Sequence, residues 1–220
     1  MRIVAVRIGN KYGPEVEGYL ESKMPECKWH WIRQPIRPDI WLQWNKLAAM
    51  SIDTDECVVV CDIDIMLEND YKDLFYWPVK KGQFFAIPSW WGDAIHGEYF
   101  INGGFYKYYP KDCKYIFDEF MKNAGYWQTH YIKEGITTGP INGEQYFVED
   151  MVNQRLELIT CPPSWVTRWS GDGISWQYNA TQKYKKATGN EYIYMDDWHP
   201  DIKLIHFTQT DFSFTTILGG

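Results

Sequence analysis

The sequence predicts an α/β protein built on a central, mainly parallel mixed sheet flanked by helices. Short apolar runs alternate with helical patterns through the first hundred residues, the order expected of a parallel sheet covered by helices. One run, Val58 to Cys61, is apolar at every position, as a strand covered on both faces requires. Of the 220 residues, 45 % are hydrophobic and 23 % charged. These values are ordinary for a globular domain and exclude disorder, collagen-like repeats and a coiled coil. The length favours one domain, expected over 1–212, with 213–220 a loose tail or the cut edge of a longer protein.

In chain order, Ile3 to Ile8 reads as a buried strand ended by the turn residues Gly9-Asn10-Lys11-Tyr12-Gly13-Pro14. Pro14 to Met24 then places Val16, Leu20 and Met24 on one helical face. Cys27 to Ile32 reads as a second strand. Pro35 and Pro38 bracket a loop. Ile40 to Met50 is expected as a helix with Trp41, Trp44, Leu47 and Ala48 on one side. After Val58 to Cys61, further strands are expected at Phe84 to Ile87, Tyr99 to Tyr106, Leu156 to Cys161 and Ile202 to Phe207. Cys113 to Ala124 and Gly143 to Arg155 complete the pattern as helices. No internal repeat or low-complexity segment interrupts it.

With 22 basic and 29 acidic residues the net charge is −7, and the pI is about 5.2. Nucleic-acid binding draws most of its affinity from Lys and Arg on phosphates, so this chain is not expected to bind nucleic acid. A phosphorylated ligand would need a metal cation to screen it. The 12 Trp, 16 Tyr and 11 Phe supply core, and also flat surfaces suited to rings and sugars. Five cysteines without a CxxC pair read as reduced thiols, so the expected compartment is the cytoplasm. The amino terminus carries no signal-peptide pattern. No run approaches the ~18 apolar residues of a membrane span.

Asp62-Ile63-Asp64 is the central chemical signal. A DxD pair alone is weak, and Asp53-Thr54-Asp55 is a second one. Position separates them. The earlier pair precedes the Val58 strand in a polar stretch and reads as a solvated turn. The later pair caps the strand's carboxyl end, where open α/β sheets bind ligands. Two carboxylates beside Ile63, Ile65 and Met66 are costly to desolvate without a cation. A hard divalent ion compensates them best, and carboxylate oxygens suit Mn²⁺ or Mg²⁺. The plainer alternative is a pair of solvated loop carboxylates.

The early strand with its Tyr-containing loop, the apolar strand ending in DxD, Phe100-Ile101-Asn102-Gly103-Gly104-Phe105 and Leu204-Ile205-His206-Phe207 follow in that order. This series resembles the metal-dependent GT-A nucleotide-sugar glycosyltransferases, in particular their retaining glycogenin-like and galactosyltransferase branch. More narrowly it is similar to viral glycosyltransferase domains of that group, for which the compartment would be the host cytoplasm. The resemblance spans nearly the whole chain. It implies a GT-A fold with the nucleotide site at the strand carboxyl ends, and Mn²⁺, with Mg²⁺ as possible substitute, held by Asp62, Asp64 and His206. It implies a nucleotide site of Ile8, Gly9, Asn10, Tyr12, Asp62 and Ile63, with Tyr12 against the base. Lys46, Asp93, Asn102, Gly103, Gly104, Thr208 and Gln209 would meet the donor sugar or phosphates. Asp93, Glu144, Gln145 and Asp150 would stand near the reacting carbon, with Glu149 a rival for that role.

The chain departs from the family pattern in two places. Thr208-Gln209-Thr210 follows His206 where the family has Gly and Lys for the phosphates, and Glu144 stands where the family has Asp. Each candidate also has a bland reading: Gly9-Asn10 as an ordinary turn, Lys46 as a solvated helix lysine, the paired glycines as a β-bulge, His206 as a hydrogen-bonded strand-end residue. Trp29-His30-Trp31 reads as packing and the acidic cluster Asp196-Asp197-Trp198-His199-Pro200-Asp201 as solvated. Trp165, Trp169 and Trp176 fit an acceptor-sugar platform or a core equally.

The expected activity is Mn²⁺-dependent transfer of a hexose or deoxyhexose, such as glucose, galactose or rhamnose, from a UDP-sugar to a glycan or glycoprotein acceptor. A metal-dependent nucleotidyltransferase or phosphohydrolase also uses paired carboxylates, but its two-ion sites usually need more of them. A non-catalytic sugar-binding module would need neither UDP nor metal. The oligomeric state is not legible in the sequence.

Overall fold

The computed structural model describes residues 1–89, 99–137, 143–169 and 201–207. Asp93, Trp176, the run 196–200, Thr208, Gln209 and the expected tail at 213–220 lie outside the described residues, as does the side chain of Trp169.

The elements in order are β1 (Arg2–Val6), α1 (Pro14–Lys23), β2 (Lys28–Ile32), a 3-10 helix (Leu42–Ser51), β3 (Val58–Cys61), β4 (Ile65–Leu67) and α2 (Lys72–Phe75). Then come β5 (Gln83–Pro88), β6 (Ile101–Tyr108), α3 (Pro110–Lys122), α4 (Ala124–Lys133), α5 (Gly143–Arg155), β7 (Glu157–Thr160), β8 (Val166–Trp169) and β9 (Leu204–Phe207). The main sheet runs β2-β1-β3-β6-β5-β7, and a three-stranded sheet runs β4-β9-β8. In the main sheet β6 alone is reversed, antiparallel to both β3 and β5, while the remaining pairings are parallel. The expected mainly parallel mixed sheet is what forms.

Alternation along the strands divides the core in two. Ile3, Ala5, Val59, Cys61, Phe85 and Phe105 pack to one face, with Val16 and Leu20 of α1 and with Leu67, Leu204 and Phe207 of the small sheet. Val4, Val58, Val60, Phe84, Tyr106 and Tyr108 pack to the other, with Trp44 and Leu47 of the 3-10 helix, Ile116 of α3 and Phe147 of α5. Both faces of Val58 to Cys61 are therefore buried, which is why every residue of that run is apolar. Trp44 stacks on Phe120 with ring centres 5.0 Å apart, joining the 3-10 helix to α3.

Two expectations are corrected. Where a helix over Ile40 to Met50 was expected as α, the chain forms a 3-10 helix over Leu42–Ser51, and it buries Asn45 and Lys46 along with its apolar residues. The helix expected over Cys113 to Ala124 stops at Lys122. Asn123 then caps a second helix, α4, its side chain accepting the Tyr126 N–H at 3.2 Å, as Asn favours at a helix start. The strands β4 and β8 were not anticipated, being too short for a period to register. All five cysteines are free thiols. Among the described residues no helix is long and apolar enough to cross a membrane.

Candidate active site

The strands β1, β2 and β3 run in one direction, so their carboxyl ends share one edge of the sheet. Asp62 leaves β3 at that edge, and its N–H donates to the Gly104 carbonyl at 2.8 Å. The chain then turns into β4, whose Ile65 lies opposite His206 of β9. The Phe207 N–H donates to the Asp64 carbonyl at 2.8 Å. This backbone pairing carries an imidazole 144 positions away in sequence to the DxD. His206 Nε2 lies 3.1 Å from Asp62 Oδ2 and 3.6 Å from Asp64 Oδ1. One ligand atom from each of the three residues lies within 4.8 Å of the others.

Asp53 and Asp55 are highly exposed beside Lys111, the solvated turn that was expected. The side chains of Asp62 and Asp64 are only 27 % and 19 % exposed. Burial works to raise the Asp62 carboxyl, but Lys46 and His206 beside it overcome that and hold it below the ordinary carboxylate range. Burial, with the neighbouring Asp62 charge, pushes Asp64 up instead, against the pull of His206. A half-compensated pair of carboxylates is the electrostatic setting that a divalent cation completes. His206 Nδ1 is buried with no hydrogen-bond partner. Two carboxylate oxygens and an imidazole nitrogen converging this way are a donor set that fits a divalent cation.

Lys46 is almost wholly buried and spends its protons inside the protein. Its Nζ donates to Asp62 Oδ1 at 3.0 Å and to the Gly103 carbonyl at 2.6 Å, and it lies 3.3 Å from Glu144 Oε2. Burial opposes its charge, yet Asp62 and Glu144 hold its pKa above the usual lysine range. Glu144 in turn is lifted to about 7 by burial, against the pull of Lys46. Nothing in the local sequence announces these partners beyond the apolar stretch in which Lys46 sits.

Asn102-Gly103-Gly104 is both a bulge and a wall of the site. Ala86 of β5 lies opposite Tyr106, but Ile87 lies opposite Asn102, so the register shifts there. A Cβ on Gly103 would come 2.9 Å from Glu144 Oε2, and one on Gly104 would come 3.1 Å from His206 Nε2. A larger residue at either position would push these side chains outward. Gln145 Oε1, from the first turn of α5, accepts the Gly103 N–H at 3.0 Å, so Glu144 and Gln145 meet the same segment.

The loop after β1 supplies the remaining wall. Gly9 adopts φ +83°, a left-handed conformation that favours glycine. Gly9 and Asn10 are exposed, Ile8 is half-buried, and Ile63 is buried beside the carboxylates. The Tyr12 hydroxyl donates to Asp64 Oδ2 at 3.2 Å, a link between the loop and the DxD that the sequence did not signal. Asp150 accepts the Tyr131 and Tyr99 hydroxyls at 2.5 and 3.1 Å. Glu149 accepts backbone N–H groups of Phe100 and Ile101. Trp29 and Trp31 stack on each other at 5.2 Å, as packing requires. Trp165 meets Trp77 edge-on at 5.3 Å with Lys203 above its ring.

The sheet order, the carboxylate edge and the small sheet that brings His206 to it form a fold of the GT-A class, as its likeness to solved structures shows. Among solved structures, the chain is similar to the galactosyltransferase LgtC in complex with donor and acceptor sugar analogs, with a TM-score of 0.59 at 10 % identity over 94 % of this chain and 87 % of that one. It is similar also to a glycosyltransferase involved in the glycosylation of the major capsid of PBCV-1, with a TM-score of 0.53 at 14 % identity, covering 93 % and 92 %. A third, mouse xyloside xylosyltransferase 1 in its apo form, gives 0.55 at 11 % identity, covering 94 % and 85 %. No protein-family model and no curated protein matches the sequence. At these identities the likeness is one of fold.

Proposed function

We propose that the protein is a glycosyltransferase moving a hexose or deoxyhexose from a UDP-sugar to a hydroxyl of a glycan or glycoprotein, with Mn²⁺ and with retention at the anomeric carbon. The observation that carries this reading is the convergence of Asp62, Asp64 and His206 beside the Tyr12 loop at the carboxyl edge of the sheet. When bound there, a divalent ion supplies a Lewis acid for the departing diphosphate.

The chain's own residues do the rest. Tyr12 stacks on uracil, and the backbone of Ile8 and Asn10, across Gly9, reads its edge. Asn102, Gly103, Gly104 and Gln145 form the wall against the sugar, with Asp93, Thr208 and Gln209 completing the donor site. Lys46 keeps Asp62 ionised and oriented instead of touching the donor. In the transfer, the bond from the anomeric carbon to the diphosphate oxygen breaks and one to the acceptor oxygen forms on the same face. The acceptor proton passes to the leaving diphosphate. Glu144 and Asp150 already have protein partners, which favours this front-face course over attack by a carboxylate nucleophile. The cytoplasm, where five free thiols persist, is the compartment we assign.

A panel of UDP-sugars assayed for UDP release tests the reading. One donor should release UDP in the presence of Mn²⁺, and a chelator should stop it. No release from any donor overturns the reading, and release of pyrophosphate or inorganic phosphate instead favours a nucleotidyltransferase or phosphohydrolase.

A further inference from the structure

The segment that walls the site is itself held by side chains, because the sheet ladder is interrupted there. Between the pairs Ala86–Tyr106 and Ile87–Asn102, three residues of β6 have no counterpart on β5. Buried backbone N–H groups need partners, both in this unmatched stretch, which holds Gly103 and Gly104, and just before it, where Ile101 lies opposite Pro88. The Phe100 N–H donates to Glu149 Oε1 and Oε2 at 2.9 and 3.0 Å, and the Ile101 N–H to Glu149 Oε2 at 3.1 Å. The Gly103 N–H donates to Gln145 Oε1 at 3.0 Å and the Gly104 N–H to Asn102 Oδ1 at 2.7 Å. Gln145 and Glu149 are four apart on α5, so one helix face grips β6 at two successive points.

Glu149 is 1 % exposed and forms no ion pair among the described residues. Burying a carboxylate without a cation is costly, yet its two oxygens match two consecutive N–H groups as no apolar side chain does. Beyond that grip the same backbone reaches the site. The Gly103 carbonyl accepts Lys46 Nζ, the Gly104 carbonyl accepts the Asp62 N–H, and the Gly104 Cα faces the His206 ring.

We infer that Glu149 is a positioning residue for the sugar transfer proposed above: it never touches the donor, and through Phe100 and Ile101 it fixes the Asn102–Gly104 wall against the carboxylates. The inference rests on the proposed function. It also predicts a backbone coupling measurable without turnover.

The test compares wild type, Glu149→Gln and Glu149→Ala. With Mn²⁺ and the active UDP-sugar, kcat should fall by about ten- to a hundredfold in Glu149→Ala, as small misplacements of a site do. KM and the UDP dissociation constant should change little. Glu149→Gln keeps one acceptor oxygen and should recover part of kcat. In parallel, amide hydrogen exchange should accelerate at Gly103 and Gly104 in Glu149→Ala, with Glu149→Gln intermediate. If the alanine variant fails to fold, the glutamine variant carries both readouts. Unchanged kcat, or a loss expressed in KM alone, overturns the inference. So does faster exchange confined to Phe100 and Ile101. Should wild type release no UDP from any donor, the proposed function fails, and the exchange at Gly103 and Gly104 still decides whether Glu149 holds the wall.

Discussion

Asp55 and Asp64 carry the same carboxylate in opposite settings. Asp55 lies 77 % exposed and 2.9 Å from Lys111, an arrangement worth little because water screens it. Asp64 is mostly buried between Tyr12 and His206. Asp53→Ala and Asp55→Ala should therefore stay within about 0.5 kcal/mol of wild-type stability, measured by denaturant unfolding, and keep full turnover. Tyr12→Ala removes both the ring proposed to stack on the base and the hydroxyl that holds Asp64. It should weaken UDP binding by about 1–3 kcal/mol if stacking here matches that in nucleic-acid sites. Calorimetry checks this, and an unchanged dissociation constant would place the base elsewhere. Asp62 and Asp64 were legible from their position at a strand end. The burial of Lys46 was not, because its three acceptors come from β6, α5 and the DxD turn and meet only in the folded chain.

At the scale of elements, α5 concentrates buried acidity against the β6 bulge. Burial lifts Glu149 from 4.5 to about 7 even though the Phe100 and Ile101 N–H groups favour its charged form. An acid whose pKa is raised by folding is bound to its proton more tightly in the native state. Its stabilising effect is full below the unfolded value and is lost as pH rises through the folded one. Native stability should thus decline between about pH 4.5 and 7.5 from this source. Glu149→Gln, which cannot ionise, should show a flatter denaturant midpoint over that range, and parallel curves for the two proteins would contradict it. Gly143 to Arg155 was legible as a helix, and its grip on β6 was not. Glu149 read as a possible sugar-facing acid because no local pattern shows that its carboxylate is taken by backbone. The short strands β4, β8 and β9 show the same limit: a run of three or four residues has too little periodicity to reveal its partner.

For the molecule as a whole, the order of strands and helices was readable because both faces of the sheet are covered. The all-apolar Val58 to Cys61 matches a strand covered on both faces. The crossing of β9 onto β4 was not readable, since it joins residues far apart along the chain, and it is this crossing that brings His206 to the DxD pair. A shared fold does not by itself fix an activity, so the decisive evidence must come from the site. Calorimetric titration of UDP, with and without Mn²⁺, into wild type and Asp64→Ala tests it most directly. Mn²⁺ should tighten UDP binding to wild type by about tenfold or more, within the usual range of coupling between two ligands, and should leave binding to a folded Asp64→Ala unchanged. Equal UDP affinity with and without Mn²⁺ in wild type would contradict a metal-bridged nucleotide site at Asp62, Asp64 and His206.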